Sequence, residues 1–258
     1  MTAESPPEKN KVFSITWPDG SSSQAVVAHP EKNAEETADM LGLARPSPTI
    51  FVTGGASYMT DKDKALTQAI IEEGIARFAQ DYGVTLIDGG TESGVMHMIG
   101  VARRKHGYTF PLIGVAPLGR VEYPGYTNPL QQATLEDNHT HFVLVDAPDW
   151  GDESLTIVRL AQAISGNGQR ASTGILINGG RISRQDVFFA IAEKMPILVL
   201  EGSGRFADEL ATAFRTGQTN QRLIQAIIKG GDIELVGTVE GPQAVYDKLA
   251  KRFGKLSN

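Results

Sequence analysis

The sequence predicts an α/β protein of the Rossmann-like, doubly wound class: a mainly parallel sheet with helices on both faces, plus a small N-terminal hairpin. Three observations predict it. Strands apolar on both faces alternate with helices of ten or more residues, the pattern of a parallel sheet covered on both sides. Three of these strands run straight into paired glycines: TIFVTGGAS at 49 to 57, TLIDGGTESGVM at 85 to 96 and GILINGGRIS at 174 to 183. A fourth ends in a related turn, ILVLEGSGRFAD at 197 to 208.

Taken in order, residues 1–11 are polar, contain Pro6 and Pro7, and are expected to form a disordered tail. Residues 12–45 form an N-terminal hairpin and helix: VFSITW at 12 to 17 and QAVVA at 24 to 28 flank a turn with Asp19 and Gly20, and EKNAEETADMLGL gives a short helix. Pro46 and Pro48 stop that helix, and 46–258 is read as the Rossmannoid domain. After the first glycine turn Ala65, Leu66, Ala69, Ile70, Ala76 and Ala79 recur at helical spacing until Gly83, a C′ residue. A second helix covers about 94 to 106, ending in Arg103, Arg104 and Lys105, which complement its carboxyl end. Further strands are LIGVAP at 112 to 117, HFVLVD at 141 to 146, GILIN at 174 to 178, ILVL at 197 to 200 and IELVG at 233 to 237. Helices fall at about 153 to 165, 184 to 194, 205 to 215, 220 to 229 and 242 to 252. The stretch 118 to 140 has no period and exceeds the roughly 12 to 15 residues usual for a plain loop, so it is expected to cover part of a ligand.

Composition excludes several classes. With 258 residues, 41% of them hydrophobic, the chain can build one large core. A net charge of −6 argues against a general nucleic-acid partner, because polyanions are held by surplus Lys and Arg. The absence of cysteine removes disulfides, thiolate nucleophiles and cysteine-bound zinc. No apolar run approaches the roughly 18 residues that span a bilayer, and the first residues lack a secretory signal's apolar centre, so a cytoplasmic protein without a membrane partner is expected.

Glycine at the end of a buried strand lets backbone amides approach a ligand, and the following helix aims free N–H groups outward. Gly54 and Gly55, Gly89, Gly90 and Gly94, Gly179 and Gly180, and Gly202 and Gly204 occupy such places. Each turn can also be read as a tight connection needed only for packing, but parallel strands put all of them along one sheet edge, where open α/β sheets bind ligands. A negatively charged, nucleotide-derived ligand is the reading this favours. A helix N-terminus contributes about 0.3 to 1 kcal/mol to a bound anion, whereas micromolar binding needs about 8 kcal/mol. Positive side chains must therefore help, and Arg205, Arg181, Arg184 and Arg120 stand near these turns. Tyr58, Tyr123, Tyr126 and Trp150 are aromatic candidates for a base or sugar pocket or for ordinary loop packing.

At these residues a resemblance becomes specific. FVTGGAS, LIDGGTESGVMHMIGVARR, LIGVAPLGRV, LEDNHTHFVLVDAP and LVLEGSGRFAD occur in an order that resembles the N-terminal cytosolic domain of melastatin-type TRP channels, the LSDAT module, over about residues 45 to 215. This module and its bacterial soluble counterparts belong to the SLOG superfamily, with the LOG phosphoribohydrolases and the DNA-processing protein DprA. The resemblance implies a sensor of ADP-ribose, cyclic ADP-ribose or a related nucleotide, in signalling or defence. Its contacts would fall on Thr53, Gly54, Gly55, Ala56 and Ser57, on Gly89, Gly90, Thr91, Gly94, Val95 and Met96, and on Arg205, with Arg120 near another family arginine. Gly179, Gly180 and Arg181 of the third turn and Glu201, Gly202, Ser203 and Gly204 of the fourth complete the expected site. No resident cofactor is implied. Channel activity does not carry over without the channel's transmembrane part.

LOG enzymes, more distantly similar, cleave an N-glycosidic bond with a glutamate in PGGxGTxxE. The equivalent NGGRISRQD has Asn178 for the proline, Ile182 for the third glycine, Ser183 for the threonine and Asp186 for the glutamate. Asp186 keeps a carboxylate, but β-branched Ile182 resists a positive φ, so the turn is expected to be reshaped and the carboxylate displaced. Hydrolysis of an N-glycosidic or phosphate bond is therefore the alternative to sensing. His139 and His141 share one strand face, as a metal pair could, or serve as a hydrogen-bonded strand entry, the reading favoured here. Asp146, Asp149, Asp152 and Glu153 read as turn and cap carboxylates, and Ser57, Ser93 and Ser203 lack the surroundings of a nucleophile. Output through an effector protein, or through a homodimer or higher homo-oligomer, is expected; the apolar helices at 220 to 229 and 242 to 252 could cover a neighbouring protomer or their own sheet.

Overall fold

A computed structural model describes residues 7–254. The hairpin comes first, with β1 (Val12–Thr16) antiparallel to β2 (Ser22–Ala28) and the Ser21 amide donating to Asp19 at the turn. Next is α1 (Ala34–Met40), capped by Asn33. After β3 (Thr49–Gly54), Thr60 and Asp63 form a capping box that starts α2 (Asp61–Ala69). The helix continues through a π-helical stretch, Ile70–Ala76, into α3 (Arg77–Tyr82), and left-handed Gly83 ends it. Then come β4 (Thr85–Asp88), α4 (Gly94–Lys105), β5 (Leu112–Pro117), the short pair β6 (Val121–Glu122) and β7 (Ala133–Thr134), and β8 (His141–Val145). The second half runs α5 (Ser154–Ile164), β9 (Ser172–Ile177), α6 (Arg181–Ala192), β10 (Ile197–Glu201), α7 (Arg205–Thr216), α8 (Arg222–Gly230), β11 (Ile233–Gly237) and α9 (Gly241–Gly254).

The main sheet has the order β1-β2-β8-β5-β4-β3-β9-β10-β11, parallel throughout except for β1 with β2. The six strands from β5 to β11 reproduce the doubly wound order 3-2-1-4-5-6. One core layer packs α1, α5, α6, α7 and α8 on one face, around Val158, Leu176 and Phe206. The other packs the α2 to α3 helix, α4 and α9 on the opposite face, around Ile71, Phe78 and Ile99. A third cluster lies against the hairpin end, where Ile15, Trp17, Tyr123 and Phe142 meet. The apolar residues of α8 and α9 thus cover their own sheet: Ile224 and Ile227 join the first layer, Val245 and Leu249 the second.

The hairpin is part of the sheet and no separate appendage, because β2 pairs in parallel with β8 through Gln24 to Ala28. Of the expected tail, residues 1–6 lie outside the described residues, while Lys9 bridges Val27 and its Nζ is 2.5 Å from Asp146. The stretch 118 to 140 folds back: Leu118, Val121, Tyr123, Leu135 and His139 are all buried. Among the described residues no helix is long and apolar enough to cross a membrane.

β3 leads toward β4 on one side, and β9 toward β10 on the other. A crevice opens at the carboxyl ends of such a divergent pair.

Candidate functional site

The crevice has two connected parts. An outer groove of about 820 Å³ is lined by Gly54, Gly55, Ala56 and Ser57, by Ser93, Gly94, Met96 and His97, and by Gly180, Arg181 and Arg205. An inner cavity of about 310 Å³ is lined by Thr53, Gly54, Gly89, Thr91 and Met96, by Gln132 and Trp150, and by Glu153, Ile182, Ser183 and Asp186. Gly54, Ser93, Met96, Ile182 and Ser183 belong to both.

Backbone geometry makes the groove. The Gly55 amide donates to Ile177 O at 3.2 Å, and a Cβ on Gly54 would stand 1.9 Å from that oxygen, so only glycine lets β3 and β9 close here. Gly94 has φ +56° and packs against the Ala56 amide, which brings the start of α4 beside the first turn. The amides of Gly94, Val95 and Met96 at the start of α4, and of Arg181, Ile182 and Ser183 at the start of α6, have no hydrogen-bond partner among the described residues. Neither helix has a side-chain cap. Free N–H groups of this kind attract anions. α7 differs: its Phe206 and Ala207 amides donate to Gly179 O and Asn178 O, so this helix offers its arginine and not its amides.

Asn178 holds three turns together. Its Nδ2 donates to Ser57 O at 3.2 Å and to Ser203 O at 2.9 Å, its Oδ1 accepts from the Gly179 amide, and its own amide donates to Ser203 Oγ at 2.7 Å. Asparagine suits the position because its φ is +57°. Arg205 is exposed, makes no ion pair with any described residue, and lies 5.4 Å from the centroid of the Tyr58 ring, which is 92% exposed. Arg181 donates only to Trp150 O, at 3.3 Å. Lys64 adds a third cation, 3.9 Å from Asp61, and no carboxylate lines the outer groove.

The inner cavity has the opposite character: no Lys, Arg or His lines it, but Glu153 and Asp186 do, each 3% exposed. Thr53 Oγ1 donates to Asp186 Oδ2 at 2.5 Å, whereas Asp186 Oδ1 and Ser154 Oγ lack partners in hydrogen-bonding geometry. Burial pushes Asp186 up to about 6, against the opposing pull of Ser154 and Thr53. Glu153 rises to about 7 through burial first, with Asp186 and Asp152 adding repulsion and the Gly151 amide, 2.7 Å from Oε2, opposing. Although its turn was expected to be reshaped, Asp186 lines the inner cavity. Ile182 lies inside the first turn of α6, and the positive φ values fall on Asn178 and Gly179, so the β-branched side chain meets no strain.

Several expected residues stand outside the crevice. Val95 is buried in the core, and Gly90 packs against Gly114. Arg120 is paired with Asp149 and donates to Leu130 O. Arg184 is taken by Glu209 and Gln221. Glu201 pairs with Arg215 at 2.6 Å; Gly202 packs on Thr238, Ser203 Oγ donates to Leu200 O, Gly204 packs on Asn178, and Gly179 packs on Ser183. Of the two readings of Tyr123 and Tyr126, loop packing matches their contacts: they stack on each other at 5.2 Å, and Tyr123 packs on Phe13. Gln132 and Ala133 are the part of 118 to 140 that reaches the cavity. Sequence reasoning missed Glu153 as a cavity residue because it stands at the start of a helix, where acidic residues ordinarily serve as caps. His139, 2% exposed, is held between Asp88 and Glu136, each at 2.8 Å. Burial alone would lower its pKa, but the two carboxylates raise it to about 9. His141 faces Thr140 instead, its pKa lowered by burial and by Arg103, and no group of three or more such side chains placed to hold a metal ion is found among the described residues.

Comparison with known proteins agrees with this geometry. The TRPM member 2 channel of Mus musculus is 30% identical over 205 residues, covering 66% of this chain and 13% of the channel. TRPM member 6 of Homo sapiens is 27% identical over 194 residues, covering 64% of this chain and 10% of the channel. The chain thus spans only a small part of these channels' length. The X-ray structure of TM1055, a structural genomics target, shares the fold, with a TM-score of 0.52 and 18% identity over 78% of this chain and 99% of that one. A family profile described as "SLOG in TRPM, prokaryote" matches residues 47–247, from the strand before the first glycine turn into the last helix. With its glycine turns gathered at one crevice of a doubly wound sheet, the chain belongs to the prokaryotic LSDAT family of the SLOG fold, a family of ligand-sensing, nucleotide-binding domains.

Proposed function

We propose that the chain senses a nucleotide-derived phosphate ester, of the ADP-ribose or cyclic ADP-ribose class, held at the carboxyl edge of its sheet. The observation that carries this reading is the outer groove, where unpartnered amides from two helix starts meet Arg181, Arg205 and Lys64 with no carboxylate between them. A phosphate there gains the helix-terminal amides and a charged fork together. The resemblance to channel domains that bind ADP-ribose supports the ligand class. An effector protein or a change of oligomeric state would carry the signal onward.

A second reading, hydrolysis of the bound nucleotide, is favoured by Asp186 and Glu153, two buried carboxyls with raised pKa values in one cavity. One experiment separates the readings. Titrating the purified protein with ADP-ribose and AMP by calorimetry, with chromatography of the mixture, is expected to give binding without products. Release of ribose phosphate would move the chain to the hydrolases, and no heat with either ligand would refute both readings.

A further inference from the structure

We propose that the inner cavity seats a positively charged aromatic ring carried by the same ligand whose phosphates lie in the outer groove, so that the ligand class is a dinucleotide ending in a cationic nitrogen heterocycle. This rests on the nucleotide reading above and extends it to the other end of the ligand. The cavity, about 310 Å³, faces two buried carboxyls and has no cationic side chain on its walls. Asp186 Oδ1 is buried, with neighbouring Ser154 out of hydrogen-bonding geometry and no cation beside it among the described residues. Buried carboxylates without a counter-charge are costly, and a cation entering the cavity removes that cost.

The walls decide which cation fits. Val52, Met96, Ile157 and Ile182 are apolar, and the indole of Trp150 is fixed by its Nε1 bond to Gln132 at 2.8 Å. A delocalised, weakly hydrated ring suits such walls and the aromatic face better than a compact ammonium or a hydrated metal ion. The two parts adjoin, sharing Gly54, Ser93 and Met96 as walls, which puts both ends of one tethered ligand within reach of them. The upward displacement of both carboxyl pKa values by burial fits the same deficit of positive charge.

Oxidised and reduced nicotinamide adenine dinucleotide share a pyrophosphate but differ in the charge of one ring, which makes them the probes. Calorimetric titration of the full chain with NAD⁺, NADH and ADP-ribose is expected to show NAD⁺ binding about tenfold or more tightly than NADH. Glu153→Gln, which keeps an acceptor for the Gly151 amide, is expected to reduce that ratio to about 3 or less. The wild-type ratio stands as a test even if this variant does not fold. Equal affinities, or tighter NADH, would overturn the proposal in favour of a neutral group in the cavity. Binding of ADP-ribose alone would show that the ring is not admitted, and an unchanged ratio in Glu153→Gln would remove the cavity from the recognition. Failure of all three ligands would overturn the nucleotide reading itself, an outcome distinct from the others.

Discussion

Asp186→Asn is expected to make the free protein more stable at neutral and alkaline pH, although it alters the centre of the crevice. Burial raises the Asp186 carboxyl from 3.8 to about 6, with Ser154 and Thr53 opposing. The folded state therefore holds this proton more tightly than the unfolded chain, and stability falls as pH rises from about 4 through about 6. At about 1.36 kcal/mol for each pKa unit, the full loss is of order 3 kcal/mol. Asparagine does not ionise, and its Oδ1 still accepts from Thr53, whose bond to Asp186 is 2.5 Å long. Neighbouring Glu153, itself raised to about 7, shares part of the electrostatic penalty, so about 3 kcal/mol is an upper bound. Urea denaturation across pH should give similar stabilities near pH 4 and a gap that widens to a plateau above pH 7, with the variant the more stable. A variant less stable than wild type at pH 8, or a gap independent of pH, would refute the reasoning.

The outer groove and the His139 network make separate predictions. Arg205→Ala should weaken ADP-ribose binding by about 10- to 150-fold, the cost of a lost charged hydrogen bond, and leave the urea midpoint unchanged, because Arg205 is exposed and pairs with no carboxylate among the described residues. Arg120→Ala serves as the control, since its guanidinium is committed to Asp149; a loss of affinity there equal to that of Arg205→Ala would contradict the site. His139, raised from 6.5 to about 9, contributes stability that is fully present below about pH 6.5 and is lost as pH rises through about 9. His139→Gln should lower stability at pH 6.5 by about 3 kcal/mol and abolish the alkaline decline of the wild-type urea midpoint; persistence of that decline in the variant would assign it elsewhere.

The repeating part of the fold was legible because its signals are local. LIGVAP at 112 to 117 is β5 to the residue, and Gly83 ends its helix in the left-handed conformation. The π-helical stretch Ile70–Ala76 gives no such signal, since its apolar residues also satisfy α-helical spacing. The pairing of β2 with β8 joins residues more than a hundred apart, and nothing within QAVVA announces its neighbour. The site divides in the same way. Gly54, Gly94 and Arg205 could be read from strand-turn-helix punctuation, which also sets where they lie. Glu153 and Asp186 could not be paired, because α5 and α6 bring them together by packing side by side on one face of the sheet and only burial distinguishes them from ordinary surface acids. The pairing of Arg120 with Asp149 and of Glu201 with Arg215 was illegible for a related reason: partner choice is decided by tertiary contact.

The seam between β3 and β9 has a consequence for how the domain can respond. Its two banks come from opposite halves of the chain, Thr53 to Met96 on one and Gly180 to Arg205 on the other, so neither half owns a complete receptor. A guest lodged across it acts as a noncovalent staple between them, and every increment of its occupancy is also resistance to pulling the halves apart.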